Sequence, residues 1–279
     1  MTPDFPTTPK PGGFAGVPYE TYRTWDALSQ SRLKSLARSP AHYRWNLAHP
    51  REDTETFLFG RMLHAAILEP AVFKAEYVSM PKVDGRTKEG KEIKERYVRE
   101  HPGKTIVSQA VWEEVVGMSE AVQAHKTASR LLYSIKPEFS FCWQDRETGV
   151  LCKGRADALC SSSVLGAPVL DIKTCQDASP QGFARAMREY RYHNQAAWYL
   201  DGLAAVGKKV EKFILIAVEK LTNFVGVYEI DKRTLDYARQ ENSDLLKLFA
   251  YCSNNDEWPS YSPYVEQIGL PEVFFQETK

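Results

Sequence analysis

The chain has 279 residues, 43% of them hydrophobic, with 36 basic and 36 acidic side chains and a formal net charge of zero. That length fits one large domain or two small ones, and the apolar share can build a sizeable core. Charge neutrality argues against indiscriminate coating of nucleic acid while leaving room for a local basic groove, and no apolar run approaches the length of a membrane span.

In chain order, Met1–Pro18 is Pro- and Gly-rich and lacks the basic start and apolar stretch of a secretory signal. Residues 1–24 are expected to form a mobile arm and residues 25–279 a single domain. Within it, 25–132 reads as a helical part, 133–253 as an α/β core and 254–279 as a tail. Ser29–Ala37 predicts a helix with Leu28, Leu33 and Leu36 on one side. Ser39-Pro40 is an N-cap and first-turn pair for a second helix carrying Tyr43, Trp45 and Leu47. Phe57–Leu68 predicts an apolar helix that holds His64. The charge-dense Lys82–Lys104 predicts an exposed loop and helix, and Ser108–Leu132 one helix capped by Ser108. Strands are expected at Glu138–Gln144, Gly149–Leu159 and Pro168–Lys173, with turns at Asp145–Thr148 and Ser161–Gly166. A helical region opens at Ser179-Pro180, breaks near Tyr190–Tyr192 and resumes through Leu203. Lys212–Glu219 and Asn223–Ile230 predict two more strands, Thr234–Tyr251 a closing amphipathic helix, and Asn254–Lys279 an irregular, packed tail. This order implies an α/β fold with a mixed sheet flanked by helices, plus an N-terminal helical subdomain. The five cysteines (142, 152, 160, 175 and 252) are scattered and form no C-x-x-C pair. They read as reduced thiols of a cytosolic protein rather than a zinc or iron–sulfur site.

The chemistry-bearing residues cluster late in the chain. Asp157 lies in G-R-A-D-A-L and Asp171 in V-L-D-I-K-T. Side chains at i and i+2 of a strand share a face, so Asp171 and Lys173 project together while Ile172 points back into the core. Along Val150–Leu159 the even positions, through Ala158, are small and apolar and predict a helix-packed face. The odd positions Lys153, Arg155 and Asp157 predict a cleft lining, with an ordinary solvent-facing edge as the alternative. Asp171 and Lys173 interrupt an apolar run, where ionised groups need a partner or a metal. They form either a buried ion pair or part of a magnesium site, which takes one or two carboxylates plus waters and substrate phosphate. Asp157 and Asp171 would supply the carboxylates, and Lys173 would orient a nucleophile or neutralise transition-state charge. Glu138 is a further acid or a solvated strand-entry residue. His64, alone on an apolar helix, reads as a core residue or a metal ligand. Gln195 and Tyr199 share a helix face and offer an amide and a phenol to a phosphate or base, or simply pack.

Five segments in order carry a resemblance: S-P-A-H-Y at Ser39–Tyr43, F-G-R-M-L-H-A-A-I-L-E-P at Phe59–Pro70, G-R-A-D at Gly154–Asp157, D-I-K-T at Asp171–Thr174 and Y-H-N-Q-A-A-W-Y at Tyr192–Tyr199. Together they resemble the PD-(D/E)XK nuclease superfamily and, within its RecB-like branch, the RecE (exonuclease VIII) nuclease domain and its phage relatives. The resemblance implies a restriction-endonuclease-like core. It also implies His64, Asp157, Asp171 and the Ile172 carbonyl as metal ligands, Lys173 as catalytic lysine and Glu138 as auxiliary acid. Gln195 and Tyr199 match a Q-x-x-x-Y motif that supports the active site and the DNA. Ala156 stands where the family name has proline. Mg2+ is the implied cofactor, with Mn2+ as a substitute. No iron–sulfur cluster is expected, since the cysteine group some relatives carry has no counterpart.

The implied activity is digestion of linear double-stranded DNA from the 5′ end. The 3′ single-stranded tails left would serve recombination with a RecT-like annealing partner in the cytoplasm of a bacterial or phage-infected cell. A ring-shaped homo-oligomer would thread DNA past Lys153, Arg155, Arg86, Lys88 and Lys91, reconciling zero net charge with phosphate contacts. A structure-specific endonuclease and a non-catalytic DNA-binding protein on the same core are the alternatives.

Overall fold

The computed structural model describes residues 9–50, 54–161 and 166–270. Its elements run β1 (Gly12–Phe14), α1 (Tyr19–Thr24), β2 (Leu28–Ser29), α2 (Gln30–Leu36), α3 (Pro40–Ala48), α4 (Glu55–Leu68), α5 (Pro70–Glu76), β3 (Tyr77–Ser79), α6 (Lys88–Glu100) and β4 (Thr105–Val107). Then follow α7 (Gln109–Ala124), α8 (Lys126–Leu132), β5 (Ile135–Gln144), β6 (Leu151–Cys160), β7 (Val169–Cys175), α9 (Pro180–Tyr190), α10 (Tyr192–Ala205), β8 (Phe213–Glu219), β9 (Val225–Glu229) and α11 (Lys232–Asn255). No helix among the described residues is long and apolar enough to cross a membrane.

Local chemistry accounts for most boundaries. The hydroxyls of Ser39, Thr54, Ser108 and Ser179 accept hydrogen bonds from the amides of His42, Phe57, Val111 and Gly182, capping α3, α4, α7 and α9. The single helix expected over Ser108–Leu132 is two. His125 breaks it, and its Nδ1 accepts the Ala128 amide at 3.2 Å to cap α8. Arg191, at φ 59° and ψ 40°, separates α9 from α10.

Residues 9–24, expected within a mobile arm, are ordered instead. β1 pairs antiparallel with β5, and α1 leads to Trp25, which is buried against Phe14 and Tyr22 in edge-on contacts. The aromatic content of this segment supplies enough burial to offset the ordering of its backbone. Residues 1–8 lie outside the described residues, as do 162–165 of the expected Ser161–Gly166 turn. The tail packs through Trp258, stacked on Tyr43 at 5.2 Å, and through Pro259, whose carbonyl accepts the Ala41 amide at 3.0 Å. Its residues up to Leu270 are otherwise exposed, and 271–279 lie outside the described residues.

The main sheet has the order β1-β5-β6-β7-β8-β9, with β2 alongside β6. β7 runs parallel to β8 and antiparallel to β6, so the sheet is mixed. One apolar core on one face joins α2, α10 and α11; a second on the other face joins α4, α5, α7 and α8. The β6–β7 ladder stops at Ala158↔Leu170, one step before Asp157 and Asp171 would stand opposite. Farther along β6, β2 takes over at Cys152 and Lys153. The two strands therefore fork at the two acids.

The even-position face of β6 is not continuous. Cys152 and Ala156 belong to the first core, whereas Ala158 belongs to the second and Leu159 to the first. The switch falls at Asp157, across from Glu138, whose φ of 50° interrupts the β5–β6 pairing between Pro137↔Ala158 and Phe139↔Ala156. A left-handed residue inside a strand turns the chain over. Gly154 is required for packing. A Cβ there would come within 2.3 Å of the Phe141 ring.

Candidate active site

The fork opens into a cleft of about 810 Å³. His64 reaches its floor from α4, Asp157 from β6, Lys173 from β7 and Gln195 from α10. The Asp157 Oδ2 accepts the Ile172 amide at 2.8 Å, so the carboxylate replaces the ladder bond lost where β6 and β7 part. The His64 Nε2 lies 3.6 Å from that same oxygen and 3.1 Å from the Ile172 carbonyl. Three atoms expected as metal ligands, on three different elements, thus converge.

Asp171 is 0% exposed. Its Oδ1 accepts the Gln195 amide at 2.8 Å, and the Lys173 ammonium stands 2.7 Å from its Oδ2. Among the described residues, no donor other than this ammonium reaches Oδ2. The buried Asp171–Lys173 ion pair considered from the sequence is therefore present, and it occupies the oxygen a cation would need. Among the described residues, no three His, Cys, Asp or Glu side chains already stand together as a metal cage. The donor set of one imidazole, two carboxylates and a backbone carbonyl nevertheless fits a hard divalent cation, to which Oδ2 would become available once Lys173 yields.

Burial pushes the Asp157 carboxyl up to about 6; His64 works against this, and Asp171 adds to it. Burial opposes the charge on Lys173, but Asp171 and Asp157 outweigh it and hold its pKa above the ordinary lysine value. Burial likewise raises the Tyr199 phenol, which packs edge-on against Phe141 at 5.6 Å. The Asp157 shift has a consequence for pH. Its folded-state pKa exceeds the ordinary 3.8, so between those values the folded chain binds the extra proton. The metal-free fold loses this stabilisation as pH rises through that window. A cation must displace the same proton. A divalent cation held by these groups is expected to raise the Tm fully at about pH 8 and less below about pH 6. Equal rises at about pH 5 and pH 8 in differential scanning calorimetry would contradict this.

The other expected positions divide. Glu138 lines the cleft and receives the Arg155 Nε at 2.5 Å. Arg155 also donates to the Val17 carbonyl at 2.6 Å. Lys153 is 3% exposed and donates to the carbonyls of Tyr22, Arg23 and Trp25 at 3.0, 3.3 and 2.8 Å. Lys153 and Arg155 line the cleft, as the alternation in β6 predicts, and both also clamp the N-terminal segment. That segment covers their side of β6 and contributes Gly16–Tyr19 and Tyr22 to the cleft wall. Arg86, Lys88 and Lys91 are exposed near the start of α6 and do not line the cleft. Sequence reasoning missed Tyr190, Tyr192, Lys34 and Glu69, which do line it. Tyr192 and Glu69 stand in the resembling segments without a role assigned there, the helix break was a further signal for the two tyrosines, and nothing local marked Lys34.

A forked mixed sheet with an acid on each prong and a lysine two residues past the second defines the restriction-endonuclease-like fold with a PD-(D/E)XK site. The chain belongs to the family described as "PDDEXK-like domain of unknown function", whose model matches residues 29–270. Among solved structures it is similar to a "Putative exonuclease" from Eubacterium rectale, with 13% identity and a TM-score of 0.59 over 95% of this chain and 100% of the other. It also aligns with SSO0001 at 17% identity and a TM-score of 0.29, over 67% of this chain and 86% of that one. No curated protein matches the chain.

Proposed function

We propose that this chain is a divalent-metal-dependent nuclease that degrades linear double-stranded DNA from its ends, in the 5′ to 3′ direction, and leaves 3′ single-stranded tails. The observation that carries the reading is the convergence of His64, Asp157 and the Ile172 carbonyl beside the Asp171–Lys173 pair, at the floor of an open cleft. The bound cation, Mg2+ or Mn2+, would activate water and stabilise charge on the phosphate. His64, Asp157, Asp171 and the Ile172 carbonyl would hold it. Gln195 fixes the rotamer of Asp171, and Lys173, once released, presents its ammonium to the phosphate. The exonuclease assignment of the E. rectale protein and the RecE-like motif order support end-dependent action.

Digestion of 5′- and 3′-labelled linear duplex with Mg2+, beside a covalently closed circle, tests this. Release of the 5′ label first, with the circle intact, is the expected result. A cut circle would favour the endonuclease reading, and DNA retention without turnover the non-catalytic one. Assembly into a ring and delivery of tails to a RecT-like annealing protein in the cytoplasm belong to the same proposal. Sedimentation of the protein with and without DNA checks the ring.

A further inference from the structure

We propose that Tyr190 and Tyr192 form a stacking platform for an unpaired nucleobase of the strand being cut, with Lys34 beside it to receive the adjoining phosphate. The inference rests on the nuclease reading and names the form of DNA that the site takes.

The two tyrosines flank the left-handed Arg191 at the α9–α10 corner. The Arg191 guanidinium turns away toward α11, 3.3 Å from the Glu241 carboxylate, and so anchors the corner. Both neighbouring rings instead line the cleft, stacked with centroids 5.6 Å apart and planes 25° from parallel. The inner ring touches the chemistry, since the Lys173 ammonium lies 5.0 Å from the Tyr192 centroid. The outer ring forms the lip and is 48% exposed. Lys34 closes the row. Its ammonium sits 5.6 Å from the Tyr190 centroid and donates to the Tyr190 carbonyl at 3.2 Å. A cation, two rings and a second cation thus lead from the reacting lysine to solvent, and a base takes the outer face of Tyr190 by moving the Lys34 ammonium off the ring and onto the adjoining phosphate.

This arrangement matches an extended single strand, which alternates bases with phosphates. Aromatic faces accept any base, and ammonium groups accept any phosphate, so recognition is independent of sequence. Inside a duplex both faces of each base are covered by its neighbours. A base can reach Tyr190 only at a frayed end or on an overhang. The site therefore takes a DNA end whose terminal nucleotides have left the stack.

The test is fluorescence anisotropy in EDTA with a short labelled oligothymidylate and its abasic counterpart, run beside the Mg2+ cleavage assay. The wild type is expected to bind the thymidylate about ten-fold more tightly than the abasic strand. Tyr190→Ala should bind the two alike, and Tyr190→Phe should keep the preference, because stacking does not use the hydroxyl. A preference undiminished in Tyr190→Ala, or absent from the wild type, would overturn the platform. Cleavage by the wild type without base preference sinks the platform alone. Base preference without cleavage of any DNA sinks the catalytic reading on which it rests.

Discussion

Asp171→Asn is expected to lower Mg2+-dependent DNA cleavage by about a thousand-fold, the loss that several kcal/mol of transition-state stabilisation represents. The substitution keeps shape and keeps an acceptor for the Gln195 amide, so the fold should survive. What disappears is the negative charge on a fully buried group that must outcompete an ammonium for a cation. Lys173→Met provides the matching contrast. It should also stop cleavage, because no ammonium then reaches the phosphate. It frees the Asp171 Oδ2, however, so the Tm rise produced by Mg2+ should persist or grow. Asp171→Asn should lose that rise. Cleavage rates and calorimetric scans on both variants check the pair. If Asp171→Asn kept near-normal turnover, the assignment of Asp171 to the metal would be wrong.

The second large effect concerns stability. Lys153→Met is expected to destabilise the chain by about 3 kcal/mol, read from urea unfolding. Its ammonium bonds three carbonyls between Tyr22 and Trp25, and methionine would remove that donor from all three, leaving the Tyr22 and Trp25 carbonyls only the amides of Trp25 and Ala27. Burial pulls the Lys153 pKa down to about 8, so these carbonyls only partly offset the cost of desolvation. The N-terminal segment should then become the first site of limited proteolysis, ahead of any core element. The salt dependence of DNA binding by the folded variant should match the wild type, because Lys153 offers no charge to solvent. Normal stability with a weakened salt slope would restore Lys153 to the DNA-binding set.

Lys153 also shows what the basic-channel expectation left out. Alternation in β6 correctly separates Lys153 and Arg155 from Cys152, Gly154 and Ala156. Alternation says nothing about what lies over a face. Here residues 9–27 cover it, through β1 pairing and the buried Val17 and Trp25, a long-range contact with no periodic signal. The site at the fork was more legible. An acid and a lysine two positions apart in an apolar run admit few environments, and His64 stood out as the lone histidine of an apolar helix.

By itself the sequence determined the order of the principal helices and of the core strands, the helix starts at Ser39, Ser108 and Ser179, and the residue types of the site. Capping and alternation act over a few residues, so they are written locally. Only the tertiary structure decided that β6 and β7 diverge at the acids, that Asp171 is held by Lys173 and Gln195, and that the N-terminal segment walls the cleft. Those outcomes depend on backbone turned over at Glu138 and on contacts between segments more than a hundred residues apart, such as Arg155 with Val17. Distance along the chain hides them because the burial and pairing energies that set them exist only once the layers have packed.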